Sequence, residues 1–150
     1  MDGGFGIGGK ITTYRRLSEA VFEKVELLLG PHKQAWTKDS HLPGGDFPVG
    51  TVDKLAADLK DKFPFLEQSL TQRMATLYGT LAYDILGKSQ SMDDLGHYFG
   101  ASLYTAEVDY LMDHEFAQTA EDILYRRTKL GLLLIDEQKD TLNTYMRQKH

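Results

Sequence analysis

From Thr13 onward, apolar residues recur at steps of three and four in nearly every stretch able to form regular structure, and no stretch of useful length alternates with a period of two. Tyr14, Leu17, Val21, Val25 and Leu28 form the first such row, with Arg15, Arg16, Glu19, Glu23 and Glu26 between them. Steps of three and four return side chains to one face of an α-helix, whereas a half-buried strand needs strict alternation. The pattern predicts an all-α fold, a compact helical domain of about six or seven helices with one long loop containing Pro and Gly. Thr12 or Thr13 can supply the N-cap oxygen of the first helix and Gly30-Pro31 its stop, so that helix spans about 13–29. The row from Tyr14 to Leu28 is expected to be core.

Between Pro31 and Gly50 no period is sustained, and three prolines with Gly44-Gly45 break whatever could form. A loop of that length in a small domain is expected to pack over something, so Trp36 and Phe47 are predicted to dock on the helices. Thr51 can cap a helix bearing Val52, Leu55, Ala56 and Leu59. Pro64 suits the first turn of another, with Leu66, Leu70, Met74 and Leu77 on one face. Thr80 to Leu86 reads as a short helix, Ser91 to Asp94 as a turn, and Tyr104, Val108, Leu111 and Met112 as one face of a helix ending near His114. Thr119 followed by Asp122 has the spacing of an acidic capping box, opening a segment that buries Ile123, Leu124 and Leu130. Asp136 can cap a last helix with Leu142, Tyr145 and Met146.

Composition excludes several function classes. The formal charge is -5, from 17 Lys and Arg against 22 Asp and Glu, and no basic block follows a phosphate backbone, so nucleic acid is not an expected partner. Without cysteine there is no disulfide framework, thiolate nucleophile or Cys-type zinc site. The longest apolar run, Leu130 to Ile135, is far shorter than the ~20 residues that span a bilayer. The glycine-rich start, Met1 to Lys10, lacks the apolar region of a secretory signal. A soluble chain is expected.

Gly4-Phe5-Gly6-Ile7-Gly8-Gly9 spells a dinucleotide fingerprint, but that fingerprint works after a strand and inside a βαβ unit, and neither fits the glycines here. A phosphate loop fails too, because Ile11 follows Lys10 where a magnesium-binding Ser or Thr is needed. Gly8-Gly9 still permit close backbone approach, and the amides of Lys10 to Thr13 open a helix whose positive end favours an anion. A plain helix start and an anion site fit those residues equally well. His114-Glu115 lacks the second histidine of a zinc helix, since Gln118 stands there, so no metal site is expected. His114 is read as a helix C-terminal residue, and Arg126 and Arg127 as partners of Asp122 and other carboxylates.

Four pieces in order, Gly8-Gly9-Lys10-Ile11-Thr12-Thr13-Tyr14-Arg15, then Leu42-Pro43-Gly44-Gly45-Asp46, then His114-Glu115 with Thr119 and Asp122, then Arg126-Arg127-Thr128-Lys129-Leu130-Gly131, resemble the C-terminal part of FAD-dependent glycerol-3-phosphate dehydrogenases. The resemblance covers nearly the whole chain. It implies that residues 1–12 close an FAD-binding domain and that residues 13–150 are a helical cap. It implies an enzyme that oxidises glycerol 3-phosphate to dihydroxyacetone phosphate by hydride transfer to FAD and passes the electrons to quinone, or to oxygen in related oxidases. Gly9, Lys10, Ile11 and Thr12 match the segment approaching the flavin, and Lys10 matches a lysine near the substrate. A reduced flavin carries negative charge near N1, which helix amides and a lysine stabilise.

The implied partners are the missing N-terminal FAD domain, glycerol 3-phosphate and quinone, with room for a homo-oligomer. The implied location is the cytoplasmic side, peripheral to the membrane. Where the family has an apolar strand upstream, Gly3-Gly4-Phe5-Gly6 stands here. No residue is expected to be catalytic on its own, so the isolated chain is expected neither to retain FAD nor to turn over. A free-standing helical interaction module is the alternative.

Overall fold

In this computed structural model the described residues are 10–30, 33 and 36–149. They fall into two compact units, residues 1–42 and 43–150.

In the first unit one 3-10 turn, Ile11–Thr13, runs into α1, Tyr14–Leu29. Gly30, at φ 86°, ends the helix while its N–H bonds Glu26 O at 2.9 Å. On the polar face Arg15 donates to Glu19 at 2.7 Å, and Thr37 Oγ1 donates to the same carboxylate at 2.6 Å. The helix matches expectation, but its burial does not. No residue of α1 is buried, and Tyr14, Leu17, Val21 and Leu28 are all exposed. Helical periodicity requires only that one face be apolar, and among the described residues of this unit no second long helix lies across it. Trp36 likewise fails to dock, remaining 66% exposed beside the short turn Thr37–Asp39.

The second unit carries the core. α2, Val52–Lys62, and α3, Gln68–Tyr78, are joined by a short turn and pack together. Leu55, Leu59, Phe63, Leu66, Leu70 and Met74 are buried in one cluster, against which Phe47 packs as predicted. Leu77, expected on the same face, is exposed. Pro64 sits in the turn and not in α3, which starts at Gln68. The reason is local: Leu66 N–H bonds Phe63 O at 3.0 Å, and Lys60 Nζ donates to the carbonyls of Pro64, at 2.9 Å, and of Leu66, so the turn satisfies itself. Thr51 precedes α2 without capping it, its hydroxyl donating to Pro48 O at 2.6 Å.

A 3-10 turn, Gly79–Leu81, leads into the short α4, Ala82–Leu86. Asp94, inside the turn Asp93–Leu95, then accepts the N–H groups of Gln90 and Ser91 at 2.8 and 2.9 Å, tying the chain ahead of the turn to it. A small hairpin follows that the sequence pattern does not announce. β1, Tyr98–Gly100, pairs antiparallel with β2, Leu103–Tyr104, with Tyr98 opposite Tyr104, Gly100 opposite Leu103 and a bulge between. Its tip, Ala101-Ser102, adopts φ 48° and 63° without glycine. α5, Thr105–His114, ends where predicted, and α6, Asp136–Lys149, is the last element of the described residues. Gln138 Oε1 accepts the Ile135 N–H at 3.1 Å at the start of α6, so Asp136 lies in the first turn, not at the cap. A second cluster buries Phe99, Leu103, Val108, Leu111, Ile123, Leu124, Leu142 and Met146, and Tyr78 packs against both clusters. The all-α class therefore holds, with one small hairpin added.

Candidate functional site

Of the four residues matched to the flavin-approaching segment, Gly9 lies outside the described residues. Lys10 is extended and exposed, and Ile11 and Thr12 form the exposed turn before α1. Thr13 spends both its N–H and its hydroxyl on Lys10 O, each at 2.9 Å, so it closes the turn instead of capping the helix by its side chain. What this end offers is a cation beside the N–H groups of Ile11 and Thr12, which lie ahead of the first intrahelical bonds. That chemistry suits an electron-rich edge.

From Pro43 on, the other three pieces lie in the second unit, and each closes a local structure. In the Leu42–Asp46 piece, Gly44 O accepts the Thr80 N–H at 3.1 Å, and Thr80 Oγ1 donates to Asp46. The two strands of chain cross so closely that a Cβ on Gly79 would meet Gly44 O at 1.9 Å, and both glycines have positive φ, 79° and 56°. Only glycine fits at such a crossing.

The last two pieces converge on one corner. Asp122 Oδ2 accepts Thr119 N–H and Thr119 Oγ1 at 2.9 Å and Gln118 N–H at 3.1 Å, while Asp122 N–H returns to Thr119 Oγ1 at 3.3 Å, the reciprocal box the spacing predicted. The Thr119 hydroxyl bond leads in holding the Asp122 carboxyl below its ordinary range. The box opens a π-helical turn, Asp122–Arg127, whose wide pitch shows in the Thr128 N–H bond to Ile123 O at 3.0 Å. Buried Thr128 fixes that pitch, its hydroxyl donating to Ile123 O at 2.7 Å and accepting Leu130 N–H at 3.2 Å. Arg126 pairs with Asp122 at 2.6 Å as expected, and Arg127 grips Glu115 through its carboxylate at 2.9 Å and its backbone oxygen at 2.5 Å. His114 ends α5 with its ring 4.8 Å from that of Tyr110.

One polar cluster was not foreseen. Glu107, on α5, is buried and accepts Arg73 Nη1 and Nη2 and the Tyr78 hydroxyl, each at 2.6 Å. Arg73 Nη2 also donates to Ser102 O at 2.6 Å, holding the hairpin tip. Burial, and then the Glu107 charge, push the Tyr78 phenol well above its ordinary range. The signal was present: Arg73 lies three residues after Leu70, and Glu107 three after Tyr104 and four before Leu111, so each charge falls on an apolar helix face. An open groove lined by His97, Phe99, Asp140 and Tyr145 involves none of the motif residues.

Among the described residues no helix is long and apolar enough to cross a membrane. Residues 35–148 match the family described as the C-terminal domain of alpha-glycerophosphate oxidase. The chain is 41% identical, over 95% of its length, to a glycerol-3-phosphate dehydrogenase of Pseudomonas aeruginosa, and 42% identical over 93% to an aerobic glycerol-3-phosphate dehydrogenase of Escherichia coli. It is 38% identical over 88% to a D-erythritol 1-phosphate dehydrogenase of Brucella abortus. The chain spans 28% of the length of the first two relatives. With the helical fold and the capped π-turn corner in place, the chain belongs to the family of the C-terminal domain of alpha-glycerophosphate oxidase.

Proposed function

We propose that this chain is the cap domain of an FAD-dependent glycerol-3-phosphate dehydrogenase that oxidises glycerol 3-phosphate to dihydroxyacetone phosphate and passes the electrons to quinone. The observation that carries the reading is the run of identity at about the two-fifths level to dehydrogenases of that name, across more than nine-tenths of the chain. When bound, FAD accepts the hydride. The residues of this chain supply electrostatics. Gly9, Lys10, Ile11 and Thr12 would hold the flavin edge, where the Ile11 and Thr12 amides and the Lys10 ammonium would stabilise developing negative charge, and Lys10 would also serve the substrate phosphate. The domain boundary falls at 12/13, the flavin-binding part precedes it, and the enzyme lies at the cytoplasmic face of the membrane as a peripheral protein.

A second substrate reading follows from the erythritol-phosphate relative, in which a longer polyol phosphate takes the place of glycerol 3-phosphate. Both substrates present the same phosphate to Lys10.

The test is direct. The isolated chain is expected to purify colourless and to oxidise neither substrate with added FAD, while the full-length enzyme is yellow and active. In the latter, Lys10→Ala should raise the barrier by about 1–3 kcal/mol in kcat/KM, as for a charge-assisted contact, and Lys10→Arg should restore it only in part. Kinetics of both variants equal to the parent, or a full reading frame without a flavin domain, would defeat the proposal.

A further inference from the structure

The segment Leu130 to Ile135 holds more apolar surface than its own fold uses. Leu130 and Leu134 point into the second core cluster, whereas Leu132, Leu133 and Ile135 stay 78%, 71% and 61% exposed. Phe116 is 84% exposed and adopts φ 58°, a left-handed conformation disfavoured for a bulky aromatic residue. Two contacts tie these residues to one corner: Arg127 binds Glu115, the neighbour of Phe116, and the Tyr125 hydroxyl donates to Gly131 O at 3.3 Å. Exposed apolar surface held on strained or tightly bonded backbone marks an interaction site.

The charges around it decide what kind. Arg126 is paired with Asp122 and also faces Glu121, Arg127 is paired with Glu115, and Lys129 Nζ donates to Tyr125 O and keeps its charge. The corner thus presents apolar side chains among balanced charges, three cations against three carboxylates, the makeup of a protein interface, and not the surplus positive charge that draws an amphipathic surface to anionic lipid.

We propose that Phe116, Leu132, Leu133 and Ile135 form the surface by which this domain docks on the flavin-binding part of the full-length dehydrogenase. The proposal rests on the functional reading above and names the face that its partner covers. In the relatives matched over most of this chain, the matched region is 26–28% of the protein, so a much larger body of the same polypeptide is present at fixed stoichiometry to cover it. Tethering gives that body a high effective concentration over any partner in solution.

Hydroxyl-radical footprinting of the isolated chain and of the full-length, flavin-loaded enzyme tests this. Oxidation of Phe116, Leu132, Leu133 and Ile135 should be strong in the isolated chain and several-fold weaker in the enzyme, while exposed Val49 labels alike in both. Leu133→Asp should leave the isolated chain's melting temperature unchanged, yet in the enzyme restore labelling of the other three. Equal labelling in a flavin-loaded enzyme overturns the proposal alone. Labelling of the isolated chain that falls with its own concentration assigns the face to a second copy, and labelling lost on adding vesicles of phosphatidylglycerol assigns it to lipid; either overturns it. A full-length protein that holds no flavin removes the partner and overturns the functional reading as well.

Discussion

α1 and α5 make an instructive pair. α1 has the longer and cleaner apolar row, Tyr14 to Leu28, with every polar residue in its place, and buries nothing. α5 has a shorter row interrupted by a carboxylate, and it buries Val108, Leu111 and Glu107. The difference lies in what surrounds each helix. α5 runs out of a hairpin and beside α4, and its charged intruder meets a guanidinium and a phenol already placed on α3. Hydrophobic periodicity therefore reports which face a helix offers. Burial depends on whether the same chain supplies a second surface to meet it.

If α5 is held as described, the largest loss comes from opening its ion pair. Glu107→Leu leaves the Arg73 guanidinium buried beside an apolar side chain and should cost about 3–5 kcal/mol in urea unfolding, with Arg73→Met added to it recovering much of the loss. A double variant no better than the single would mean the two residues are not coupled. Next, Leu59→Ala and Leu142→Ala, each at a fully buried position, should cost about 2–5 kcal/mol apiece.

The pH profile separates the regions further. Since the Tyr78 phenol is raised above its unfolded value of about 10, its contribution is complete below that pH and is lost as the pH climbs past it, because only the unfolded chain then releases the proton. Tyr78→Phe should flatten the fall in stability above pH 10; an unchanged alkaline limb would refute the buried, neutral phenol. At the acid end Asp122 acts with the opposite sign. Its lowered carboxyl stabilises above the ordinary aspartate range, and that contribution disappears as the pH drops through its folded value. Asp122→Asn should lower the melting temperature at neutral pH and narrow the gap to the parent in acid. The smallest effect is expected in α1: Leu17→Ala and Val21→Ala in this chain should stay within about 0.5 kcal/mol. A core-sized loss there would erase the contrast between the two helices.

Much of the architecture was legible. α5 ended at His114, and the Thr119–Asp122 box formed as its spacing required, because capping is local chemistry between residues three apart. The hairpin was illegible because its tip, Ala101-Ser102, takes positive φ without the Asn or Gly that usually announces it, and its stabilising bond comes from Arg73 far away in sequence. The π-turn was hidden for a related reason, since Thr128 sets the pitch through a carbonyl five residues back, which no apolar period encodes. Trp36 stays exposed while Phe47 packs, because the length of a loop does not say which of its apolar side chains finds a surface. At the candidate site, the ion pair of Arg126 with Asp122 was readable from its i, i+4 spacing, whereas the partner of Arg127, Glu115 twelve residues back, was not. The role of Gly9 to Thr12 rests on likeness to a family, because a glycine turn before a helix looks the same with or without a flavin beside it.

Native-state hydrogen exchange of the 150-residue chain tests the central contrast most directly. Amides of α3 and α5 should exchange only through opening of the buried clusters, while those of α1, whose apolar face no described residue of its own unit buries, should exchange orders of magnitude faster, near the rates of a fraying helix. Protection in α1 equal to that of α5 would contradict the account.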